Sequence, residues 1–279
     1  MVIFGPDLSH WQSDVDLATV AAEGCRFVIC KVSQGTNSRD PAWPGFRDDA
    51  RKAGLILAGF HMITGESAAA QAVNCKAALG DTTIPLALDW EQSGGSGDWS
   101  NFLAVLEAFR AAGLQVRLAY CPRWFWQQQG SPDMRAAGLP LWASRYVSSA
   151  AAAPAVMYPA VRDEQWTGYG GLQVALLQFT DRAYIAGKAI DCSAYRGTEQ
   201  QLRDLLYPPA QNPGADDVQL SDRIPDLYTD GPTDTLTVGD TIAWAAAHAA
   251  HARDAATLAL AEVRALRAEV AALRTALGK

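Results

Sequence analysis

A chain of 279 residues, 49% of them hydrophobic, can bury one large core with a smaller unit beside it, or two ordinary domains. Its formal net charge of −7 excludes a general nucleic-acid binder, because phosphate contacts need clustered Lys and Arg and the sequence has no such cluster. No run of about 18 apolar residues reads as a membrane span, so insertion into a membrane is not expected.

The first two hundred residues alternate short apolar runs with amphipathic ones. Predicted strands are VIFG near residue 2, FVICKV from Phe27, LILAGF from Leu55 and IPLALDW from Ile84. Three more are QVRLAYC from Gln115, LPLWAS from Leu139 and VALLQFT from Val174. Their brevity and bounding Gly, Pro or Asp are those of buried parallel strands. Helical segments follow the first four: DLATVAAEG, PGFRDDARKAG, ESAAAQAVNCKAALG and SNFLAVLEAFRAAG. Several end in Gly, a common helix stop. Such alternation predicts an α/β fold with a parallel sheet and helices outside it. Seven or eight repeats over about 200 residues suit a closed (β/α)8-like barrel, with a doubly wound open sheet as the competitor. Irregular segments around Met157 to Gly171 predict degenerate last units.

The pattern changes after Tyr207, where PPAQNPGADD reads as a linker. The expected organisation is a barrel over residues 1–207, an extended segment over 208–239 and a helical tail over 240–279. In the tail, Val263, Leu266, Val270, Leu273 and Leu277 form a heptad seam. A helix from Thr241 to Leu277 would be about 55 Å long and would leave that seam wet. It would pair with a second copy as a coiled coil, dock on a partner or on the chain's own barrel, or remain a marginal helix.

MVIFGPDLSH lacks the basic start and long apolar run of a signal peptide. The five Cys show no C-x-x-C pair and no Cys/His metal spacing, and read as buried free thiols of a chain made in a reducing cytosol. A substrate outside a membrane would require another protein to release the chain. Nine Trp hint at exposed aromatic faces of a carbohydrate site, or at a Trp-rich core.

The strand IPLALDWE ends in Asp89 and Glu91, two residues apart and therefore on one face. Sites in parallel α/β folds collect at the C-terminal ends of strands. Two carboxylates held close repel, so one pKa should rise, and a carboxylic acid so poised can protonate a leaving oxygen beside an ionised partner. That division of labour cleaves glycosides; the bland alternative is a D-x-E that caps the following turn. Asp7, closing the first strand, and Asp191, after an apolar pair in KAIDCSAYRG, stand at similar positions. Four clustered carboxylates would be costly unless function required them.

These residues lie in a longer series. The opening D-x-S-x-x-Q is Asp7 to Gln12, and K-x-[ST]-E-G corresponds to Lys31 to Gly35, with Gln34 in place of Glu. A-Y-H becomes Gly59-Phe60-His61, the D-x-E is Asp89 and Glu91, and an aromatic strand end is Tyr120. L-W-x-A-x-Y runs from Leu141 through Trp142 to Tyr146, and the closing Q-[YF]-[ST]…D is Gln178 to Thr180 with Asp191. The ordered set resembles the family 25 glycoside hydrolases, the Chalaropsis-type lysozymes.

The resemblance implies an incomplete β/α barrel with an acidic groove, no cofactor and no metal. It implies hydrolysis of the β-1,4 bond between N-acetylmuramic acid and N-acetylglucosamine in peptidoglycan. Glu91 would be the general acid, Asp89 would stabilise charge or orient the N-acetyl group, and Asp7 and Asp191 would complete the rim. A covalent and an oxazolinium intermediate both stay open. Gln34, Phe60, His61, Tyr120, Trp142, Tyr146 and Gln178 are expected around the substrate. His61 reads as a satisfied polar group, a sugar contact or a base; Trp142 reads as a stacking platform or as core; Trp90 should face a helix. The setting expected is a bacteriophage or actinobacterial lysin, released through a pore made by another protein. The alternatives are a wall-binding module that has lost catalysis and an assembly component built around the tail.

Overall fold

The computed structural model describes residues 1–91, 95–147 and 150–208, and two short strands at 223–225 and 235–237. Two compact units divide the chain, Met1–Pro209 and Ala210–Lys279. Of the second unit, the described part is an antiparallel pair, Arg223–Pro225 with Thr235–Thr237. The predicted tail helix over 240–279 lies outside the described residues.

In the first unit, eight strands close into a barrel: β1 (Ile3–Leu8), β2 (Phe27–Gln34), β4 (Ile56–Met62), β5 (Leu86–Asp89), β6 (Val116–Pro122), β7 (Leu141–Ser144), β8 (Val174–Ile185) and β9 (Lys188–Tyr195). A two-residue strand, β3 (Ser38–Arg39), pairs with the end of β2 outside the ring. The ring runs parallel from β1 through β8, and β9 is antiparallel to both of its neighbours, β8 and β1.

Closure of the ring agrees with the closed barrel that the strand–helix repeats predict; the antiparallel β9 corrects the expected parallel sheet. The strand ring is closed and mixed; only the helical complement is incomplete. Helices α1 (Leu17–Ala22), α2 (Trp43–Lys52), α3 (Ala68–Leu79) and α4 (Trp99–Ala111) form the outer layer of the first half. Between β6 and β8 the described residues hold only α5 (Arg123–Gln128), α6 (Pro154–Met157) and 3-10 turns, and β8 reaches β9 through a hairpin turn at Ala186 and Gly187 with no helix at all. A parallel neighbour would need a crossover of a dozen residues; a two-residue turn forces reversal. In β9, Ile190, Cys192 and Ala194 are buried on one side and Ser193 on the other.

Local chemistry sets the helix starts. Asp16, Ser67 and Asp98 accept hydrogen bonds from the first-turn amides of α1, α3 and α4, the N-cap arrangement. Strand alternation then sorts the apolar side chains into two layers. Val28, Cys30, Leu86 and Leu88 face the helices. Phe27, Ile29, Ala87 and Leu118 fill the barrel, and Leu202 and Leu206 of α7 (Glu199–Leu206) close its floor. Gly5 allows the β1–β2 contact, since a Cβ there would lie 2.2 Å from the Phe27 carbonyl oxygen. All five cysteines are buried and free.

Candidate active site

The C-terminal ends of the parallel strands carry the acidic groups. Asp7 lies near the end of β1, opposite Ile29 of β2. Asp89 ends β5, between Met62 of β4 and Tyr120 of β6. Trp90 turns outward, as alternation requires. It is fully buried, its indole N–H donates to the Gly97 carbonyl, and its ring meets Trp99, Phe102 and Phe125. Glu91 returns to the side of Asp89. Its backbone is held by Ser96, whose hydroxyl accepts from the Glu91 N–H at 3.3 Å and shares its one proton between the Ile63 and Glu91 carbonyls.

Asp191 reaches the same face by a different route. It sits in the first half of β9, and because that strand runs in the opposite sense its beginning lies where the parallel strands end. Pro6 pairs with Cys192, so the antiparallel register brings Asp191 beside Asp7. The four predicted carboxylates therefore converge. Their interaction is visible in their protonation: burial raises the Asp7 pKa well above the ordinary carboxylate value, reinforced by Asp191, Asp89 and Glu91. Burial, then the Glu91 charge, does the same to Asp89. Asp191 is pushed up to about 6 by burial, with Asp181 and Glu91 adding to it. One oxygen each of Asp7 and Asp89 is buried without a hydrogen-bond partner among the described residues.

Gln178 organises the other side. Its amide nitrogen donates to Asp7 at 2.7 Å, and its carbonyl oxygen accepts from the hydroxyls of Tyr120 at 2.9 Å and Tyr146 at 3.0 Å. It is 3% exposed, so it positions Asp7 and the two tyrosines and is not an open sugar contact. Tyr120 and Tyr146 line a cleft of about 640 Å³ that also borders on Glu91, within the range of small-ligand pockets. Phe60 is half-buried and points inward, edge-on to Trp142 at 6.4 Å. Gln34 accepts from Lys31 Nζ at 2.7 Å.

Two expectations fail. Trp142 is no stacking platform: it is 2% exposed, packs edge-on against Tyr120 and donates to Ser193 Oγ at 2.9 Å inside the barrel. Of the three readings of His61, its placement is that of the satisfied polar group, not of a sugar contact or a base exposed to the cleft. Alternation along β4 turns it outward, where it is fully buried against Phe109, bonded to Ser33 Oγ at 2.8 Å and to Gln71 Oε1 at 3.2 Å. Burial lowers its pKa to about 4, so it stays neutral near pH 7.

Sequence reasoning also left residues out of the site. Lys31 stands at the acidic face, where Asp89, Asp40 and Glu91 favour its charge while burial lowers its pKa. It opens the K-x-[ST] motif, which was the available signal. Ser96 had no signal beyond a loop serine. Among the described residues the exposed tryptophans are Trp11, 79% exposed just after β1, and Trp124, 48% exposed on the cleft wall; single positions do not reveal which of nine Trp are solvent-facing. No group of His, Cys, Asp and Glu among the described residues could hold a metal ion.

Comparison with known proteins follows the same outline. The model of the family described as "Glycosyl hydrolases family 25" matches residues 6–188. Lysozyme M1 of Streptomyces globisporus is 33% identical over 57 residues, which span 20% of this chain and only 19% of that protein. The muramidase structure from Acremonium alcalophilum superposes with a TM-score of 0.59 at 26% identity, covering 74% of this chain and 100% of the other. The bacterial lysozyme of Streptomyces coelicolor gives 0.59 at 23% identity, over 74% of this chain and 97% of its own.

Proposed function

The chain belongs to glycosyl hydrolase family 25, and from that premise we propose that it is a muramidase, which hydrolyses the β-1,4 bond between N-acetylmuramic acid and N-acetylglucosamine in peptidoglycan. One observation carries the reading: four carboxylates from three strands and the β5–α4 loop meet beside a cleft large enough for a sugar pair. Glycoside cleavage passes through an oxocarbenium-like state with positive charge at the anomeric carbon. Ionising these crowded carboxylates is costly in the empty cleft, which raises the pKa values of Asp7, Asp89 and Asp191; positive charge developing nearby favours their ionised forms, so the floor binds the transition state better than the substrate.

Glu91, on the border of the cleft, is the general acid that protonates the leaving oxygen. Asp89, below it, stabilises the developing charge or orients the N-acetyl group. Asp7 and Asp191 complete the floor, and Gln178 fixes Asp7 and the hydroxyls of Tyr120 and Tyr146. Lys31 limits the net negative charge. The test is mass spectrometry of digested peptidoglycan: fragments with a reducing muramic acid are expected, and amidase or peptidase products overturn the assignment.

For the setting we retain lysis by a bacteriophage, the reading that the sequence suggested. Cytoplasmic production should then leave cells intact until the membrane is permeabilised, and lysis without permeabilisation contradicts it.

A further inference from the structure

The cleft has an asymmetry that hydrolysis of a glycan does not require. Glu91 borders it from the side of the acidic cluster, yet its outer wall, at the ends of β6 and β7, carries two arginines, Arg123 and Arg145. Neither takes part in an ion pair among the described residues, where the other arginines of the surface are largely matched with Asp or Glu. Each is nonetheless anchored. Arg145 gives one guanidinium hydrogen to the Glu164 carbonyl at 2.8 Å, and the Arg123 guanidinium lies over the Tyr169 ring, 5.6 Å from its centre. These contacts fix orientation and, among the described residues, leave most of the five N–H donors of each fork unused. Trp124 and Tyr146, 48% and 47% exposed, supply apolar faces on the same wall.

The geometry points to a subsite for a carboxylate on this wall, and it rests on the muramidase reading for the identity of its ligand. The sugar backbone of peptidoglycan is neutral, but each muramic acid carries a lactyl-linked peptide with free carboxylates. Brought near Asp7, Asp89, Asp191 and Glu91, such an anion would be repelled. Two guanidinium forks on one wall offset that repulsion and fit a carboxylate bidentately. The arrangement therefore sets polarity: the peptide leaves the cleft over β6 and β7, and the strand lies in one direction across Glu91. Arg123 and Arg145 act as specificity-determining residues for peptide-bearing strands. Phosphate polymers of the wall offer anions too, but they hang from few sugars, whereas every muramic acid can carry a peptide.

The test compares three substrates cut by the full chain: bare glycan strands, strands bearing peptide only, and strands bearing phosphate polymer only. The wild type should prefer peptide-bearing over bare strands, measured as a ratio of kcat/KM. In the Arg123→Gln, Arg145→Gln double variant that ratio should fall about tenfold, the scale of removing one charge-assisted hydrogen bond, and the Arg123→Lys, Arg145→Lys pair should recover part of it. Added salt should shrink the wild-type preference, a readout independent of whether any variant folds. A ratio unchanged in the variant, a salt-independent ratio, or a preference confined to phosphate-bearing strands overturns the subsite. If the wild type cuts none of the three, the muramidase reading fails by itself. Calorimetric binding of the same strands then decides the subsite: equal affinity for bare and peptide-bearing strands refutes it, and tighter binding of the latter supports it.

Discussion

At the scale of single residues, the same chemical group is used in different ways according to its burial. Glu91 borders the cleft while Asp89 lies 5% exposed beneath it. Glu91→Gln should lower kcat by about 10²–10⁴-fold, the usual contribution of a general acid, while wall binding persists; reducing-sugar release and a pull-down on sacculi measure the two. Asp191 yields a stability prediction with a definite sign. Its folded pKa is raised to about 6 from 3.8, so its contribution to stability is fully present below about pH 4 and is lost as pH rises through about 6. Asp191→Asn should therefore stabilise the protein at pH 7.5 relative to wild type, by up to about 3 kcal/mol at roughly 1.4 kcal/mol per pKa unit, and have little effect at pH 3.5. Thermal melts at the two pH values check it; an equal or lower melting temperature for the variant at pH 7.5 contradicts it. The acids were legible one by one, because each ends or opens an apolar run. Gln178 was legible only as part of a motif: that its amide joins Asp7 to two tyrosines depends on residues 171 positions apart.

In the proposed mechanism the deciding element is the turn from β5 into α4. Alternation places Asp89 and Glu91 on one side and Trp90 on the other, and the buried indole holds the turn against α4 and α5. Trp90→Ala should cost about 3–5 kcal/mol, as large aromatic truncations in cores do; denaturant unfolding of the full chain measures it. Ser96 fixes the Glu91 backbone to Ile63 of the neighbouring crossing. Ser96→Ala should reduce kcat by about tenfold to a hundredfold, the scale of a small misplacement of a reacting group, with KM less affected. A parallel loss in KM instead would mean that Ser96 serves binding. The seven predicted strands and four helices were readable because each was a periodic run with its own stop signal. β9 was missed because its reversal follows from the hairpin at Ala186 and Gly187, and a run such as KAIDCSAY carries no mark of strand direction.

At the scale of the whole molecule, closure of the barrel brings the first and last strands together. Asp7 and Asp191 are neighbours because β1 pairs with β9. The unit Met1–Pro209 contains every residue of the acidic cleft. A chain ending at residue 208 should thus cut soluble glycan fragments at a rate within about threefold of the full chain, since it retains every group assigned to the chemical step; a larger loss would show that residues 209–279 take part in it. Light scattering of the two forms tests the expected self-association through residues 240–279. Equal mass per chain removes it.

The sequence by itself determined the alternation of strands and helices, the D-x-E on one strand face and the acids at the margins of apolar runs, because these follow from side-chain period and local caps. Tertiary structure alone decided which of those side chains see the cleft. Trp142 and His61 carry the right chemistry at strand ends yet are sealed by neighbours from distant parts of the chain. Burial, and with it the raised proton affinity of Asp7, Asp89 and Asp191, is a property of the closed ring, since desolvation and like-charge proximity arise only when separate strands meet.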